Sequence, residues 1–228
     1  SSDLAYAPNG ILYTTMQRPL ANPDKAASVA SRNIRLLAID LKAALKGEAE
    51  NTMRQYLYRA DLVHEKDYAS DLFAVTSSVL LVPERKADIL YAIDVSGATD
   101  LTPFETEDGW LISDSTKTIE MLEEDELASL GIEPVEKTVV LESMTAIDPS
   151  LSKCEGVCLV GRHILLTADN DFNLDETVVS EADHVTPVPV TLQDPTNLPK
   201  IHVVPLPRGS ELGRAALANK PGKNRRTR

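Results

Sequence analysis

Three carboxylates stand at the heads of apolar segments: Asp3 in "SDLAYAPNGILYTTMQR", Asp71 in "SDLFAVTSSVLLVPER" and Glu155 in "CEGVCLVGRHILLTADND". The last of these segments also ends in acidic groups, Asp169 and Asp171 flanking Asn170. Carboxylates brought together repel and raise one another's pKa unless a cation or an arginine lies between them. A hard cation such as calcium, with roughly 6 to 8 oxygen ligands, suits this donor set better than zinc, because the chain has only four His and two Cys. Asp3, Asp71, Glu155, Asp169 and Asp171 are therefore the candidate metal ligands. The alternative is that they are solvated or hydrogen-bonded turn residues. Arg18 and Arg85 close apolar segments of their own, Arg85 next to Glu84, and are the candidate substrate-binding groups. A guanidinium beside a cation would grip a phosphate or carboxylate through paired N–H donors; its other ordinary use is to pair with a neighbouring carboxylate.

Other chemistries find less support. "DNDFNLDETVVSE" places Asp169, Asp171, Asn173 and Asp175 at alternate positions, as an EF-hand loop does, but Leu174 stands where the sharp turn needs glycine and Ser180 where a bidentate glutamate belongs. His64, Glu65 and Lys66 could host a general acid or base, with no partner fixed for them. His163, His184 and His202 match no zinc spacing. Phosphate-loop, nucleophile-elbow and His-Glu-X-X-His motifs do not occur.

Positioning these groups falls to a repeat. Each of the three segments has a small or acidic start, an apolar strand of about five residues, a polar turn such as Pro8-Asn9-Gly10 or Gly161-Arg162, and a second apolar strand. Third strands follow in "RLLAIDL" (Arg35 to Leu41), "ILYAIDV" (Ile89 to Val95) and "KIHVVPLP"; fourth strands follow in Thr52 to Asp61 and Glu136 to Met144. The spacing is 68 residues from Ser2 to Ser70 and 84 from Ser70 to Cys154. Four antiparallel strands recurring at this interval describe a β-propeller blade. The expected fold is all-β: about three four-stranded blades of a six- or seven-bladed β-propeller, over residues 1–66, 67–150 and 151–207, the third without an obvious fourth strand. Two short helical insertions are expected at Asp40 to Glu50 and Ser115 to Gly131. Residues 173–199, rich in proline, read as a loop over one face.

An arc of three blades leaves both end faces open to water. The expected partners are the remaining N-terminal blades of the same precursor, or another chain. Innermost strands converge on the channel, so Asp3, Asp71 and Glu155 would meet there. One departure stands out: the Glu155-Gly156 pair is Ser2-Asp3 and Ser70-Asp71 in the other copies, a one-residue offset that strand alternation turns to the opposite face.

Glu155-Gly156-Val157 opening a strand, "ILLTADNDF" closing the next, "GATDLTPFE" (Gly97 to Glu105) and "LYTTMQRPLANP" (Leu12 to Pro23) together resemble the phytase-like propeller family, bacterial proteins described as having esterase-like activity. The resemblance covers about residues 1 to 207. It implies a propeller like that of the calcium-dependent phytases, an acidic channel mouth holding calcium, and a secreted or periplasmic address. The function expected is hydrolysis of a phosphate or carboxylic ester; the alternative is a non-catalytic propeller serving as a binding or assembly module.

Charge narrows the partners. The chain carries a net charge of -12, but Arg208 to Arg228 hold seven basic residues and one glutamate, a net +6 that leaves -18 on residues 1–207. That body should repel nucleic acid. No apolar run approaches the ~18 residues a membrane helix needs. Residues 208–228 read as a basic, disordered tail. Cys154 and Cys158, four apart on one strand, would lie ~13 Å from each other, too far for a disulfide. The start, "SSDLAYAPNG", suggests a chain cut from something longer.

Overall fold

The computed structural model describes residues 3–48, 52–62, 69–169 and 199–218. Its framework is three antiparallel meanders in chain order. The first joins β1 (Asp3–Tyr6), β2 (Ile11–Thr15), β3 (Asn33–Asp40) and β4 (Met53–Arg59). The second joins β5 (Phe73–Ala74), β6 (Val79–Glu84), β7 (Ile89–Asp94) and β8 (Glu136–Leu141). The third joins β9 (Cys154–Val160), β10 (His163–Ala168) and β11 (Ile201–Pro205). Strand alternation and turn chemistry account for the hairpins: Gly10 and Gly161 sit at φ of +89° and +61° in the turns after β1 and β9, a conformation that costs glycine little and β-branched residues much. Among the described residues the third sheet has three strands.

The sheets stack face to face. β1 lies beside β5 and β5 beside β9. Between the first two sheets Ala5, Tyr13, Ile34, Leu36 and Tyr58 meet Leu80, Val82, Tyr91 and Ile93. Between the second and third, Leu81 and Leu90 meet Val157, Ile164 and Leu166. β6 is thus buried on both faces, which explains why "VLLV" is an unbroken apolar run rather than an alternating one. Burying each such side chain is worth roughly 1.5–3 kcal/mol. The end sheets have a bare side instead. Leu4 and Tyr6 are 63% and 65% exposed on the first sheet, and Ile201 and Val203 are 64% and 59% exposed on the third.

A polar lock joins the first two sheets. Lys137 of β8 donates to Asp61 and Glu84, both at 2.6 Å, and to the Arg59 carbonyl at 3.1 Å, with its ammonium 4.0 Å from the Tyr91 ring centre. Tyr58 donates to Glu84 and Tyr91 to Asp61.

The connection between β7 and β8 behaves differently from expectation. Ser115 to Gly131 is not one helix but a 3-10 turn at Ile119–Met121 followed by α3 (Glu124–Ser129). Ile119 and Glu120 are both buried, one in the apolar cluster with Leu57, Leu122 and Leu127, the other on Arg35. Neighbours about 100° apart on a helix do not both reach those partners along one continuous α-helix, and Asn33 holds the carbonyls of Ile119 and Leu122 at 2.7 and 2.8 Å. The connection covers β3 and β4 on the face opposite the second sheet, the face that Leu4 and Tyr6 leave bare nearer β1.

Three further α-helices lie among the described residues: α1 (Lys25–Ala30), which the sequence pattern does not signal; α2 (Leu41–Leu45), within the expected Asp40 to Glu50 but shorter, with Asp40 as its N-cap; and α4 (Glu211–Ala218). The last corrects the reading of residues 208–228 as a disordered tail, because Leu212 and Ala215 pack on the cluster between the second and third sheets. Residues 219–228 and the proline-rich stretch 173–198 lie outside the described residues. No helix among the described residues is long and apolar enough to cross a membrane.

Candidate functional site

The candidate carboxylates Asp3, Asp71 and Glu155 sit at or next to the starts of β1, β5 and β9, the first strand of each sheet. Asp3 opens β1, pairing in register with Thr15. Asp71 precedes β5, and its carboxylate accepts the N–H of Leu72 at 2.7 Å and the N–H of Val157 on β9. That second bond ties the start of β5 to the next innermost strand. Glu155, the second residue of β9, pairs with Arg85, which directly follows β6. Both side chains are mostly buried, 16% exposed for Arg85 and 28% for Glu155.

A bulge resolves the one-residue offset of the third copy. Gly156 pairs with Thr167, but Cys154 pairs with Ala168, so Glu155 is the extra residue with no partner opposite it. Bulges re-aim a side chain in this way, and here the carboxylate turns toward Arg85 and Asp71 despite the shift in sequence. Gly156 is required at that point for a steric reason. A Cβ there would fall far inside contact distance of the Thr167 hydroxyl.

The electrostatics follow from partial burial. Desolvation pushes the Asp71 carboxyl above its ordinary value of 3.8, and the two amide hydrogen bonds offset this only in part. Burial also raises Glu155; Arg85 pulls it back, while Asp169 and Asp71 push it further up. Asp169, exposed at the end of β10, is therefore part of the same electrostatic neighbourhood. Burial drives the Cys154 thiol up to about 12, which leaves it a poor nucleophile, and both cysteines are free, as their spacing predicts.

The structure thus brings Asp71, Glu155, Asp169 and Arg85 together. Arg18 is exposed three residues past β2, on the first sheet rather than at the junction of the second and third. Asp171 and residues 64–66 lie outside the described residues. Arg85 realises the second use foreseen for it, pairing with a carboxylate. Among the described residues no three His, Cys, Asp or Glu side chains stand together as a metal site. Both oxygens of Asp71 are engaged by amides and one oxygen of Glu155 by Arg85, so the described residues as placed do not fit a calcium cage. They form a small, half-buried ionic group.

A second ionic group has no counterpart in the sequence reading. Arg35 on β3 is held by both oxygens of Glu120, at 2.7 and 3.0 Å, by both oxygens of Glu105, and by Gln55 at 3.3 Å. Burial alone would lower the guanidinium pKa, but the hydrogen bonds to Glu105 and Glu120 outweigh it and raise it. Glu105 closes "GATDLTPFE". Asp100 in the same motif accepts the Gln55 N–H at 3.2 Å, and Leu101 donates to the Gln55 carbonyl at 2.8 Å. Asn22 in "LYTTMQRPLANP" binds Gly109 and Thr118. Both motifs fasten the β7–β8 connection to the first sheet.

No curated protein and no solved structure matches the chain. The model of the phytase-like family, described as esterase-like activity of phytase, matches residues 3–172, a span that holds the first ten strands and all four stretches that carry the resemblance. This chain belongs to that phytase-like family.

Proposed function

We propose that the chain supplies three blades of a six- or seven-bladed propeller whose channel mouth hydrolyses a phosphate or carboxylic ester. One observation carries this reading: Arg85, Glu155 and Asp71, from three separate strands and turns, meet at the starts of the innermost strands. In this proposal Arg85 exchanges Glu155 for the substrate oxyanion and holds it through N–H donors. Asp71, lifted above the ordinary carboxylate range by burial, takes the proton of the attacking water. Glu155, raised likewise, takes up a proton from solvent once Arg85 has released it and passes that proton to the leaving alcohol. Two carboxyls raised by burial above the ordinary carboxylate range suit that division of labour.

Calcium is a separate arm of the proposal. Asp3, Asp71, Glu155, Asp169 and Asp171 would hold it only if Glu155 left Arg85 and Asp71 left the Val157 amide. No catalytic step is routed through it. The bare apolar faces of the first and third sheets support completion of the ring by remaining blades of the same precursor or by another chain, in a secreted or periplasmic protein.

Turnover of a chromogenic phosphate ester and an acyl ester, by the chain together with whatever completes its ring, tests the hydrolase. Arg85→Gln should lower turnover by ~10²-fold or more at unchanged melting temperature, and unaltered turnover would sink the site. Melting with calcium and then with chelator tests the metal arm on its own. A second reading, a binding or assembly module, draws on the same bare end faces; absent turnover together with stable co-purification of a large partner would favour it.

A further inference from the structure

We infer that the chain carries a second anion site, on the flank of the first sheet and away from the channel mouth, for a small oxyanion that bears a hydroxyl, of the hydrogen-phosphate class. It is built at the far ends of β3 and β4, where Asn33 and Arg59 face each other in register. Asn33 is 1% exposed; its amide N–H groups are spent on the Ile119 and Leu122 carbonyls, and its Oδ1 is buried with no donor. Arg59 donates Nη2 to Glu123 at 3.3 Å, while its Nε and Nη1 are buried with no acceptor. One cross-strand pair therefore carries an idle acceptor and two idle donors. Each such group left unmet costs about 1–3 kcal/mol, and native structures leave few.

The two side chains do not satisfy each other although they stand opposite. What satisfies both is a group that accepts from Arg59 and donates to Asn33. A water molecule has that chemistry, but the space is much larger than a water needs: a cleft of about 320 Å³ opens here, lined by Ser31, Arg32, Asn33, Arg59 and Leu122, whereas a water occupies ~30 Å³. A second cleft of about 350 Å³ adjoins it, sharing Arg32 and Arg59 as their common wall. Arg32 is anchored through Nε to the Ala60 carbonyl at 2.6 Å. The acids on the first cleft are committed elsewhere: Asp24 to the Ala27 N–H, Glu120 to Arg35, and Glu123 to the start of α3 and to Arg59 Nη2. Two guanidiniums beside a buried acceptor select an oxyanion with an O–H over a bare one.

The probe is inorganic phosphate, titrated calorimetrically into the 228-residue chain at constant ionic strength, with sulfate as the oxyanion lacking the hydroxyl. An Arg85→Gln background keeps the channel mouth out of the measurement. One saturable phosphate site should survive in Arg85→Gln, weaken about tenfold or more in Arg59→Gln and in Arg32→Gln, and take sulfate less tightly than phosphate. If Arg59→Gln fails to fold, Arg32→Gln, altered at a partly exposed side chain, decides alone. No saturable phosphate binding, binding indifferent to Arg32→Gln, binding lost with Arg85→Gln, or equal affinity for sulfate would each overturn the site.

Discussion

Arg35 and Arg85 show what one side chain does in two settings. Arg35 is enclosed by Glu105, Glu120 and Gln55, so that every nitrogen of its guanidinium is engaged and both carboxylates are nearly inaccessible. Arg85 meets Glu155 through a single nitrogen at the edge of solvent. A saturated, dry ion pair resists exchange, because any incoming anion must displace two carboxylates that have nowhere to go. A pair that keeps part of its surface in water, as Glu155 does at 28% exposure, meets a smaller barrier to exchange. The contrast gives fastening to the first, places the family's "GATDLTPFE" motif with it, and is what the proposed ligand role of the second rests on.

The most damaging way to test that division is to remove Arg35. Arg35→Ala strands Glu105 and Glu120 without a partner in the interior, and the expected loss is about 3–5 kcal/mol of unfolding free energy, read from urea denaturation. Replacing Arg35, Glu105 and Glu120 together with apolar residues of similar volume should recover most of it. If Arg35→Ala unfolds at the wild-type midpoint, the β7–β8 connection is held by something else.

The bulge supplies the next largest effect. Gly156→Ala drives a methyl into the Thr167 hydroxyl and should cost about 1–3 kcal/mol as overpacking does. Thr167→Ala in the same chain removes the obstructing oxygen, so the double variant should regain much of the loss. A single variant as stable as wild type would mean that β9 and β10 are not paired in this register.

These two features also mark how far the amino-acid pattern is readable. The eleven strands among the described residues follow from local signals: apolar runs, alternation in "MRQYLYR", and turn residues at Gly10 and Gly161. Asp71 and Glu155 are legible as a site for the same reason, since a repeat aligns them. Arg35 with Glu120 is not, because the partners stand 85 residues apart and neither end carries a local signature. The bulge at Glu155 depends on how β10 pairs, which no property of β9 alone reveals. α4 holds to the third sheet by Leu212 and Ala215, too few anchors to stand out within a basic segment.

At the Arg85 pair the expected effect on stability is small. Arg85→Ala should cost about 1 kcal/mol in urea, less than a fully buried pair because the Glu155 left behind keeps 28% of its side chain exposed, while lowering any turnover of the chromogenic esters. A loss as large as that for Arg35→Ala would erase the distinction between the two arginines and return Arg85 to a purely structural role.

The finest test turns on sign alone, and it sets Asp61 in the Lys137 lock against Asp71 at the mouth. Burial alone would raise Asp61, but hydrogen bonds from Lys137 and Tyr91 outweigh it and hold the carboxyl below its ordinary 3.8. Its contribution to stability is therefore present above pH 3.8 and lost as pH falls through the lower folded value. Asp71 is displaced the other way, raised by burial. Between 3.8 and its folded value the folded chain holds the extra proton, so stability declines as pH rises through that window and the penalty persists at neutrality. Asp61→Asn should accordingly be less stable than wild type at pH 7 and Asp71→Asn more stable, with both differences shrinking toward zero as the parent carboxyls become protonated. Urea midpoints measured from pH 7 down to the acid limit decide it. Differences of the same sign would mean that the mouth carboxylate is as firmly paired as the one in the lock, and then nothing would leave Asp71 ready to move a proton.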